Sequence, residues 1–294
     1  MAAMRCWVRA KLSRERTLSK IARELDMLTR LQPARGVIRL LECFEDDDSV
    51  QIVTELCPGG DLHKYVESHG PLDEFHLAMV AYEVLQILTG LHERGVIHGD
   101  VKPANFCLKV GSRRGFFSGQ SDGDQLKAID FGCSQLIPAS GRMSKRTGTP
   151  VFMAPEIFRR DYCHKADVWS VGVMLYWLYC RRFPCFASSE MVKQARLEEV
   201  AEAVTHAPIT YDGPPWSRMS PSGLAFIRAC LCRDEAQRWS ATDALSDPWL
   251  AEVAAREAAV VAKGAALAAG GGKGGGAQRS ASASGSDGMP AAAA

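Results

Sequence analysis

The sequence predicts an α+β fold in which a small β-rich portion precedes a larger helical one. Two runs rich in β-branched residues, "GVIRLLECFED" and "SVQIVTELC", lie before residue 60 on either side of the acidic turn "DDD". Apolar residues recur at helical spacing in most of the segments that follow. The chain has 294 residues, 47% of them apolar, so it can bury a sizeable core as one large domain or two small ones.

The individual elements are assigned in chain order. Segment 19–31 places four apolar side chains on one face of an amphipathic helix. The two β-rich runs are predicted to form a hairpin, and the runs "NFCLKV" and "QLKAIDF" a second hairpin whose long tip spans 111–124. Further helices are predicted over 74–94, 165–180, 190–205 and 221–232.

The composition changes after about Leu250. Residues 251–269 are predicted to form an Ala-rich helix with little apolar surface to bury, and the Gly-, Ser- and Ala-rich remainder is predicted to be disordered. The chain therefore divides into three predicted parts, with boundaries at 1–56, 57–250 and 251–294.

Charge and cysteine content argue against several classes of protein. The 35 basic and 34 acidic side chains nearly balance, which gives no signal for nucleic-acid binding. The ten cysteines include no C-x-x-C pair, so neither a zinc site nor a thioredoxin-like motif is indicated, and we expect reduced thiols in a cytoplasmic or nuclear protein. The apolar run 168–180 is shorter than the ~20 residues that span a bilayer, so we expect a buried helix and no membrane partner.

The stretch "VIHGDVKPANF" (96–106) concentrates four polar side chains in a segment whose Gly and Pro exclude a regular helix. By itself it could be a solvated turn. Four further motifs follow in order: "AIDFG", "GTPVFMAPE", "DVWSVGV" and "RDEAQRWSATDALSDPWL". Each occurs often by chance, but five in one order do not. Together they resemble the catalytic core of eukaryotic-type protein kinases over residues 3–250, closest to the calcium/calmodulin-dependent and calcium-dependent protein kinase group.

The resemblance implies four residues for phosphoryl transfer, with ATP and Mg²⁺ as cofactors. Asp100 takes the position that orients the substrate hydroxyl and accepts its proton, and Lys102 the position that neutralises the migrating γ-phosphate. Asn105 and Asp130 take the two magnesium-ligand positions, where hard oxygen ligands are preferred. The D-x-K spacing resembles that of serine/threonine kinases.

Further positions are structural by the same resemblance. His98 and Phe131 would pack the catalytic loop against the magnesium-binding segment. Glu156 and Arg238 would form the buried ion pair that anchors the activation segment, whose loop reads "SQLIPASGRMSKRTGTP" (134–150). Asp167 would hold the backbone of the catalytic loop.

Nucleotide and substrate positions are assigned in the same way. Thr54 takes the gatekeeper position, and the hinge from Glu55 to Cys57 would bind adenine through its main chain. Thr149 would contact the catalytic Asp and Lys and help to form the floor for the substrate hydroxyl. Asp61 matches an acidic position that favours Arg upstream of the target, although Ala104 replaces a Glu that reads a second basic residue. We therefore expect a weak preference for basic substrates.

The start of the chain departs from the family pattern. No G-x-G-x-x-G loop precedes the motifs, and only about three of the five strands of the family's small lobe are encoded, so a bilobal fold with a truncated small lobe is expected. Counting back from Glu24, the expected helix glutamate, lands on Arg5, where the family has a lysine that contacts the ATP phosphates. Lys11 is the alternative, although it lies close to Glu24 in sequence. Arginine keeps the charge but not the shape of lysine.

A third departure concerns activation. The family's H-R-D motif reads H-G-D here, so Gly99 replaces an arginine that normally receives a phosphate from the activation segment. Lys145 occupies the position where the phosphorylated threonine would be expected. Activity should therefore not require phosphorylation of Ser144 or Thr147.

Two functions follow from these observations. The first is an ATP-dependent protein serine/threonine kinase that acts on protein substrates in signalling. The alternative is a pseudokinase, a binding scaffold with the same fold but no catalysis, which Arg5 and the missing Gly-rich loop favour. The EF-hand pattern D-x-[DN]-x-[DN]-G does not occur in the sequence, so direct calcium control is not expected from this chain.

Overall fold

The computed structural model describes residues 2–8, 15–46, 49–109, 126–255 and 258–259. A three-stranded sheet with one helix, the small lobe, precedes a mainly helical portion, the helical lobe. The buried apolar side chains of both lobes belong to one connected cluster. The α+β class expected from the sequence is confirmed.

The sheet of the small lobe consists of β1 (Ala2–Val8), β2 (Leu40–Glu45) and β3 (Ser49–Glu55). The order is β1-β3-β2 with antiparallel pairing, so β3 is central. Alternate side chains of β3 are buried, which gives the sheet a packed face. The predicted β2–β3 hairpin is confirmed.

Helix α1 (Glu15–Arg30) packs its apolar stripe into the core of the small lobe. Ile21, Met27 and Leu28 are buried at the spacing of an amphipathic helix. The helix begins four residues before the predicted start at residue 19. Strand β2 is mostly exposed, and its Leu41 and Phe44 are among the large apolar side chains that face solvent.

The helical lobe is built around α5 (Lys165–Cys180), in which nearly every residue is buried. A helix that is apolar on all sides belongs in the centre of a core, as predicted for the 168–180 run. The helices around it are α2 (Leu62–His69), α3 (Glu74–Glu93), α4 (Pro155–Arg159), α6 (Ser189–Gln194), α7 (Leu197–His206), α8 (Pro221–Cys230) and α9 (Ala241–Leu245).

The single helix predicted over 190–205 is wrong, because two helices occupy this segment. Ala195 and Arg196 have extended backbones with ψ of 131° and 162°, which interrupts the helical path. The carboxylate of Glu199 accepts a hydrogen bond from the backbone N–H of Arg196 at 2.7 Å. This side chain therefore caps the start of α7 and stabilises the break.

Two further sheets have two antiparallel strands each. Strand β4 (Val96–Ile97) pairs with β7 (Gln135–Leu136), and β5 (Phe106–Leu108) pairs with β6 (Leu126–Ala128). The second pair confirms the predicted hairpin, whereas its tip at 111–124 lies outside the described residues. Ala128 donates its N–H to the carbonyl of Gly36 at 2.7 Å and accepts from the N–H of Ile38 at 3.0 Å. The β5–β6 hairpin is thus bonded to the small lobe.

Other sequence expectations concern the thiols, the tail and the membrane. The nine cysteines whose side chains the structure describes are free thiols. Residues 251–255 are helical, as expected for the start of the Ala-rich segment, and the predicted disorder from 270 onward lies outside the described residues. Within the described part of the chain, every helix is too short or too polar to cross a membrane.

Candidate active site

The loop 98–105 follows β4 and is held in place by a carboxylate on α5. Asp167 accepts hydrogen bonds from the backbone N–H groups of His98 and Gly99, each at 2.9 Å, and from His92 Nε2 at 2.9 Å. Burial alone would raise the pKa of Asp167, but the hydrogen bond and charge of His92 hold it below its usual value. A fixed negative charge therefore orients the loop backbone.

Asp100 is the centre of a polar cluster in this loop. Lys102 Nζ donates to Asp100 Oδ2 at 2.7 Å and to Thr149 Oγ1 at 2.8 Å. Thr149 donates its backbone N–H to Asp100 Oδ1 at 2.8 Å, and Asn105 Nδ2 donates to Asp100 Oδ2 at 3.1 Å. Both oxygens of Asp100 are thus oriented by donors from the loop and from a segment about fifty residues away.

The surroundings of Asp100 keep its carboxyl group ionised. Burial would raise the pKa of Asp100, but hydrogen bonds from Lys102 and Thr149 and the charge of Lys102 hold it below its ordinary value. The group is therefore an anion across the physiological pH range. An anion in this position can accept a hydrogen bond from an incoming hydroxyl group.

Asn105 and Asp130 supply the donor atoms that a magnesium ion prefers. Asn105 Nδ2 donates to the backbone carbonyl of Asp100 at 2.8 Å, so its carbonyl oxygen is the end of the amide directed away from Asp100. Asp130 adopts a left-handed backbone with φ of 64°, and its Oδ1 accepts the N–H of Gly132 at 3.2 Å. Ile129, the residue before Asp130, donates its N–H to the carbonyl of Asn105 at 2.9 Å. The two predicted magnesium ligands therefore belong to adjoining, hydrogen-bonded segments.

The oxygen donors of Asn105 and Asp130 are of the hard kind that magnesium prefers. Among the described residues, no group of three or more His, Cys, Asp and Glu side chains could hold a metal ion. Magnesium is commonly held by one or two carboxylates together with substrate phosphates, and does not need a cage made only of protein ligands.

His98 and Phe131 pack against each other at a ring distance of 5.4 Å. His98 is fully buried, and burial lowers its pKa, so the ring is neutral. Its Nδ1 accepts the backbone N–H of Asp100 at 3.3 Å, and Ser134 Oγ donates to its carbonyl at 2.9 Å. His98 thus connects the loop to the 130–134 turn by packing and hydrogen bonding, the arrangement that the resemblance implied.

Comparison with known proteins identifies the family. A family model described as the protein kinase domain matches residues 1–250. The chain belongs to the protein kinase family. Calcium-dependent protein kinase 24 of Arabidopsis thaliana is 34% identical over 240 residues, which cover 82% of this chain and 38% of that protein. Calcium-dependent protein kinase 9 of Oryza sativa subsp. japonica is 34% identical over 233 residues, covering 79% and 38%.

A third relative, CDPK-related kinase 1 of Arabidopsis thaliana, is 32% identical over 243 residues, which cover 82% of this chain and 39% of that protein. The relationship to the calcium-dependent protein kinase group expected from the sequence is confirmed. The chain spans less than two fifths of the length of these relatives.

The kinase activation segment ends in a buried ion pair. Nη1 and Nη2 of Arg238 both contact the carboxylate of Glu156, Nη2 at 3.1 Å. Arg238 Nε also donates to the carbonyl of Cys232 at 2.7 Å, and the guanidinium lies 5.3 Å from the ring centre of Trp169. Planar, bidentate geometry of this kind is specific to arginine. The pair joins the end of the activation segment to the helical lobe.

The predicted hinge follows β3. Thr54 is buried near the end of this strand, and Glu55 accepts the N–H of Arg39 at 2.9 Å through Oε1. Glu55 also lies 3.7 Å from Lys127 Nζ. Burial and the charge of Glu55 raise the pKa of Cys57 to about 11, so this thiol is protonated at neutral pH. The side chain of Glu55 is thus occupied by contacts to Arg39 and Lys127.

The lysine position of the small lobe is described only in part. Arg5 lies on β1 opposite Ile52 of β3, and its side chain lies outside the described part of the chain. The alternative, Lys11, also lies outside the described residues. Glu24 is buried on α1. The residue before it, Arg23, donates from Nη1 to the carbonyl of Gly132 at 3.3 Å, which connects α1 to the Asp130 turn.

Asp61, which is predicted to bind a basic substrate residue, also caps a helix. Its Oδ1 accepts the backbone N–H of Lys64 at 2.9 Å and so caps α2, while Oδ2 lies 3.5 Å from Lys64 Nζ. Both oxygens of Asp61 therefore contact Lys64.

Gly99 takes a conformation that explains the absence of a side chain there. Its φ is +76°, and an added Cβ would lie 2.8 Å from the carbonyl oxygen of Cys133. An added Cβ on Gly148 of the activation segment would overlap the carbonyl oxygen of Gly99. The two glycines therefore allow the activation segment to lie directly on the catalytic loop.

Sequence reasoning missed three side chains that support the site: His92, Arg23 and Gln135. His92 orients Asp167, Arg23 contacts the Asp130 turn, and Gln135 Nε2 lies 2.8 Å from the hydroxyl of Tyr162. A histidine near the end of the largely apolar α3 was a weak sequence signal for the role of His92. The other two lie in amphipathic or β-rich surroundings where a polar residue is ordinary.

Proposed function

We propose that the chain transfers the γ-phosphate of ATP, with Mg²⁺, to serine and threonine hydroxyls of protein substrates. The observation that carries this proposal is the geometry of Asp100. Its ionised carboxylate is oriented by Lys102, Asn105 and Thr149 through hydrogen bonds of 2.7–3.1 Å. Phosphoryl transfer depends on this kind of positioning and charge neutralisation.

Each residue of the cluster has a distinct task in the proposed reaction. Asp100 accepts a hydrogen bond from the substrate hydroxyl, orients it and takes its proton. Lys102 places a positive charge beside that carboxylate and compensates charge that develops on the transferred group. Asn105 and Asp130 hold the magnesium ion through their side-chain oxygens. ATP supplies the phosphoryl group, and the main chain from Glu55 to Cys57 binds its adenine.

The proposed substrates are proteins with a basic residue before the target serine or threonine. Asp61 supports only a weak preference, because both of its oxygens already contact Lys64. Ala104 offers no second acidic group in the loop. The proposed location is the cytoplasm or nucleus, in keeping with the free thiols of the described residues.

One observation favours a second function, a binding scaffold without catalysis. Counting back from Glu24 assigns Arg5, with Lys11 as the alternative, to the position where the family has lysine, and a planar guanidinium does not reproduce the contacts of a compact ammonium group. A protein of this kind would retain the fold and the Asp100 cluster but transfer no phosphate.

Phosphate transfer to an Arg-containing serine peptide tests the proposal. The wild-type chain should incorporate phosphate, and Asp100→Asn should lose about 10²- to 10⁴-fold in rate, the range for a general base. Equal thermal unfolding of the two proteins would show that the variant is folded. Equal background rates from both would contradict the kinase function.

Arg5→Lys separates the two candidate functions. If the wild-type chain is inactive but Arg5→Lys transfers phosphate in an Asp100-dependent manner, the chain as it stands is a scaffold. If wild type is active and Arg5→Lys changes the rate by less than about tenfold, Arg5 performs the role of the lysine.

A further inference from the structure

A hydrogen-bond network lies beneath residues 145–149 of the activation segment, next to the residues used in the proposed function. Its centre is Gln135 on β7, which pairs with Ile97 of β4 immediately before the catalytic loop. Gln135 Nε2 lies 2.8 Å from the hydroxyl of Tyr162 and 3.3 Å from Thr147 Oγ1. It lies 3.5 Å from the carbonyl of Lys145.

The donors and acceptors of this network form two branches. The amide of Gln135 has two N–H groups, which match its two nearest acceptors, the hydroxyls of Tyr162 and Thr147. Tyr162 then donates to the carbonyl of Lys145 at 2.6 Å, and Thr147 donates to the carbonyl of Cys133 at 3.3 Å. Each branch therefore ends on a backbone carbonyl, one branch at Lys145 and the other at Cys133.

Every group in the network is uncharged. Burial raises the pKa of Tyr162, so its hydroxyl keeps its proton at physiological pH. Gly99 has no side chain that could bind residues 145–149. The contacts that Gln135 and Tyr162 make to Lys145 and Thr147 are thus neutral hydrogen bonds, which salt does not screen as it screens ion pairs.

The network is connected to Asp100 at both ends. Thr147 lies two residues before Thr149. The backbone N–H of Thr149 contacts Asp100, and its hydroxyl contacts Lys102. Ser134, next to Gln135, donates to the carbonyl of His98 in the catalytic loop. A shift of the 145–149 backbone would therefore move the donors that orient Asp100.

We propose that Gln135 and Tyr162 are positioning residues, whose neutral network holds the activation segment against the catalytic loop without a phosphate group. The effect on catalysis rests on the proposed function. The effect on the backbone does not, and it can be measured in a chain that transfers no phosphate.

Amide hydrogen exchange of residues 144–149 in the full chain, without nucleotide, tests the network directly. Gln135→Leu and Tyr162→Phe each keep the approximate shape of the side chain and remove its hydrogen bonds. Each should make these amides exchange roughly 5- to 10-fold faster, as expected when a local hydrogen bond is lost. The double variant should exchange no faster than the faster single variant, because both changes break one network.

Two matched substitutions serve as controls. Gln194→Leu removes an exposed amide that bonds Glu190 at 3.0 Å, and Tyr176→Phe removes a hydroxyl that donates to the carbonyl of Thr210 at 2.7 Å. Neither should change exchange at 144–149. Unchanged exchange in both Gln135→Leu and Tyr162→Phe, equal effects in the controls, or additive effects in the double variant would overturn the network.

Steady-state kinetics test the positioning role where the wild-type chain is active. Gln135→Leu should lower kcat about tenfold and leave the KM for ATP unchanged, because it disturbs the orientation of Asp100 and not the nucleotide contacts. Faster exchange with unchanged kcat would overturn the positioning role. Failure of the wild-type chain to transfer phosphate would count against the proposed function only, since the exchange result decides the network separately.

Discussion

Replacing Arg238 by methionine should destabilise the helical lobe strongly. Arg238 is 1% exposed and Glu156 is 3% exposed, so the ion pair is shielded from water. In Arg238→Met the Glu156 carboxylate remains buried without its cation, and the carbonyl of Cys232 loses its donor. The methionine side chain fills most of the space of the arginine stem, so the loss should be electrostatic and not a cavity effect.

The size of the loss follows from the burial of the pair. Removing one partner of a buried ion pair costs about 3–5 kcal/mol. Since each kcal/mol lowers Tm by about 2–4 °C in a chain of this size, Tm should fall by roughly 6–20 °C. The double variant Arg238→Met/Glu156→Leu should regain most of the free energy of unfolding lost in Arg238→Met, because it leaves no unpaired charge. It should still be about 1–3 kcal/mol less stable than wild type, because backbone carbonyls that Arg238 bonded are left without a donor.

Urea unfolding followed by tryptophan fluorescence and by circular dichroism measures these differences. Arg196→Met is the matched control, because the side chains of its pair, Arg196 and Glu199, are 79% and 51% exposed. Its free energy of unfolding should change by only about 0–1 kcal/mol. A loss below about 1 kcal/mol in Arg238→Met, or an equal loss in the double variant, would refute the account of a buried, uncompensated charge.

Three further predictions concern the catalytic loop and the activation segment. Lys102→Met removes the charge and the hydrogen bond that lower the pKa of Asp100 against the effect of burial. The pKa of Asp100 should therefore rise, so that, as the pH is lowered, its carboxylate becomes protonated at a higher pH than in wild type. A carboxyl NMR titration checks this, and an unshifted midpoint would contradict it. Gly99→Ala should cost about 2–4 kcal/mol from its positive φ and the close carbonyl, whereas Gly213→Ala, with φ +83° and open space, should cost about 1–2 kcal/mol in urea unfolding. Phosphate on Ser144 should change kcat less than about twofold, because no arginine of the H-R-D motif is present to bind it; a tenfold rise in a radiometric assay would count against this reasoning.

Helices with a strong local signal were predictable from the sequence. The 165–180 run matches α5 because a continuous apolar stretch can only be buried. The segment 190–205 was not predictable in the same way, since "VKQARLEEV" contains neither Gly nor Pro and has good helix formers throughout. The extended backbone at Ala195 and Arg196 reflects capping and tertiary packing, which single-segment propensity does not contain.

In the candidate site too, contacts between residues close in sequence were predictable, whereas contacts between distant residues were not. Asp100, Lys102 and Asn105 lie within six residues of one another, so a short motif was enough to predict that they act together. The contact of His92 with Asp167 joins residues 75 positions apart, and that of Gln135 with Tyr162 joins residues 27 apart. Such pairs depend on how α3, α5 and the activation segment pack, and no local pattern encodes them.

The hydrogen bonds of Ala128 have a consequence for how the two lobes are joined. This residue is bonded to the small lobe through Gly36 and Ile38, while its neighbour Ile129 is bonded to Asn105 of the helical lobe. The strand that leads to Asp130 is therefore hydrogen-bonded to both lobes. A small rotation of one lobe against the other about this strand would displace Asp130 less than residues that lie farther from the strand.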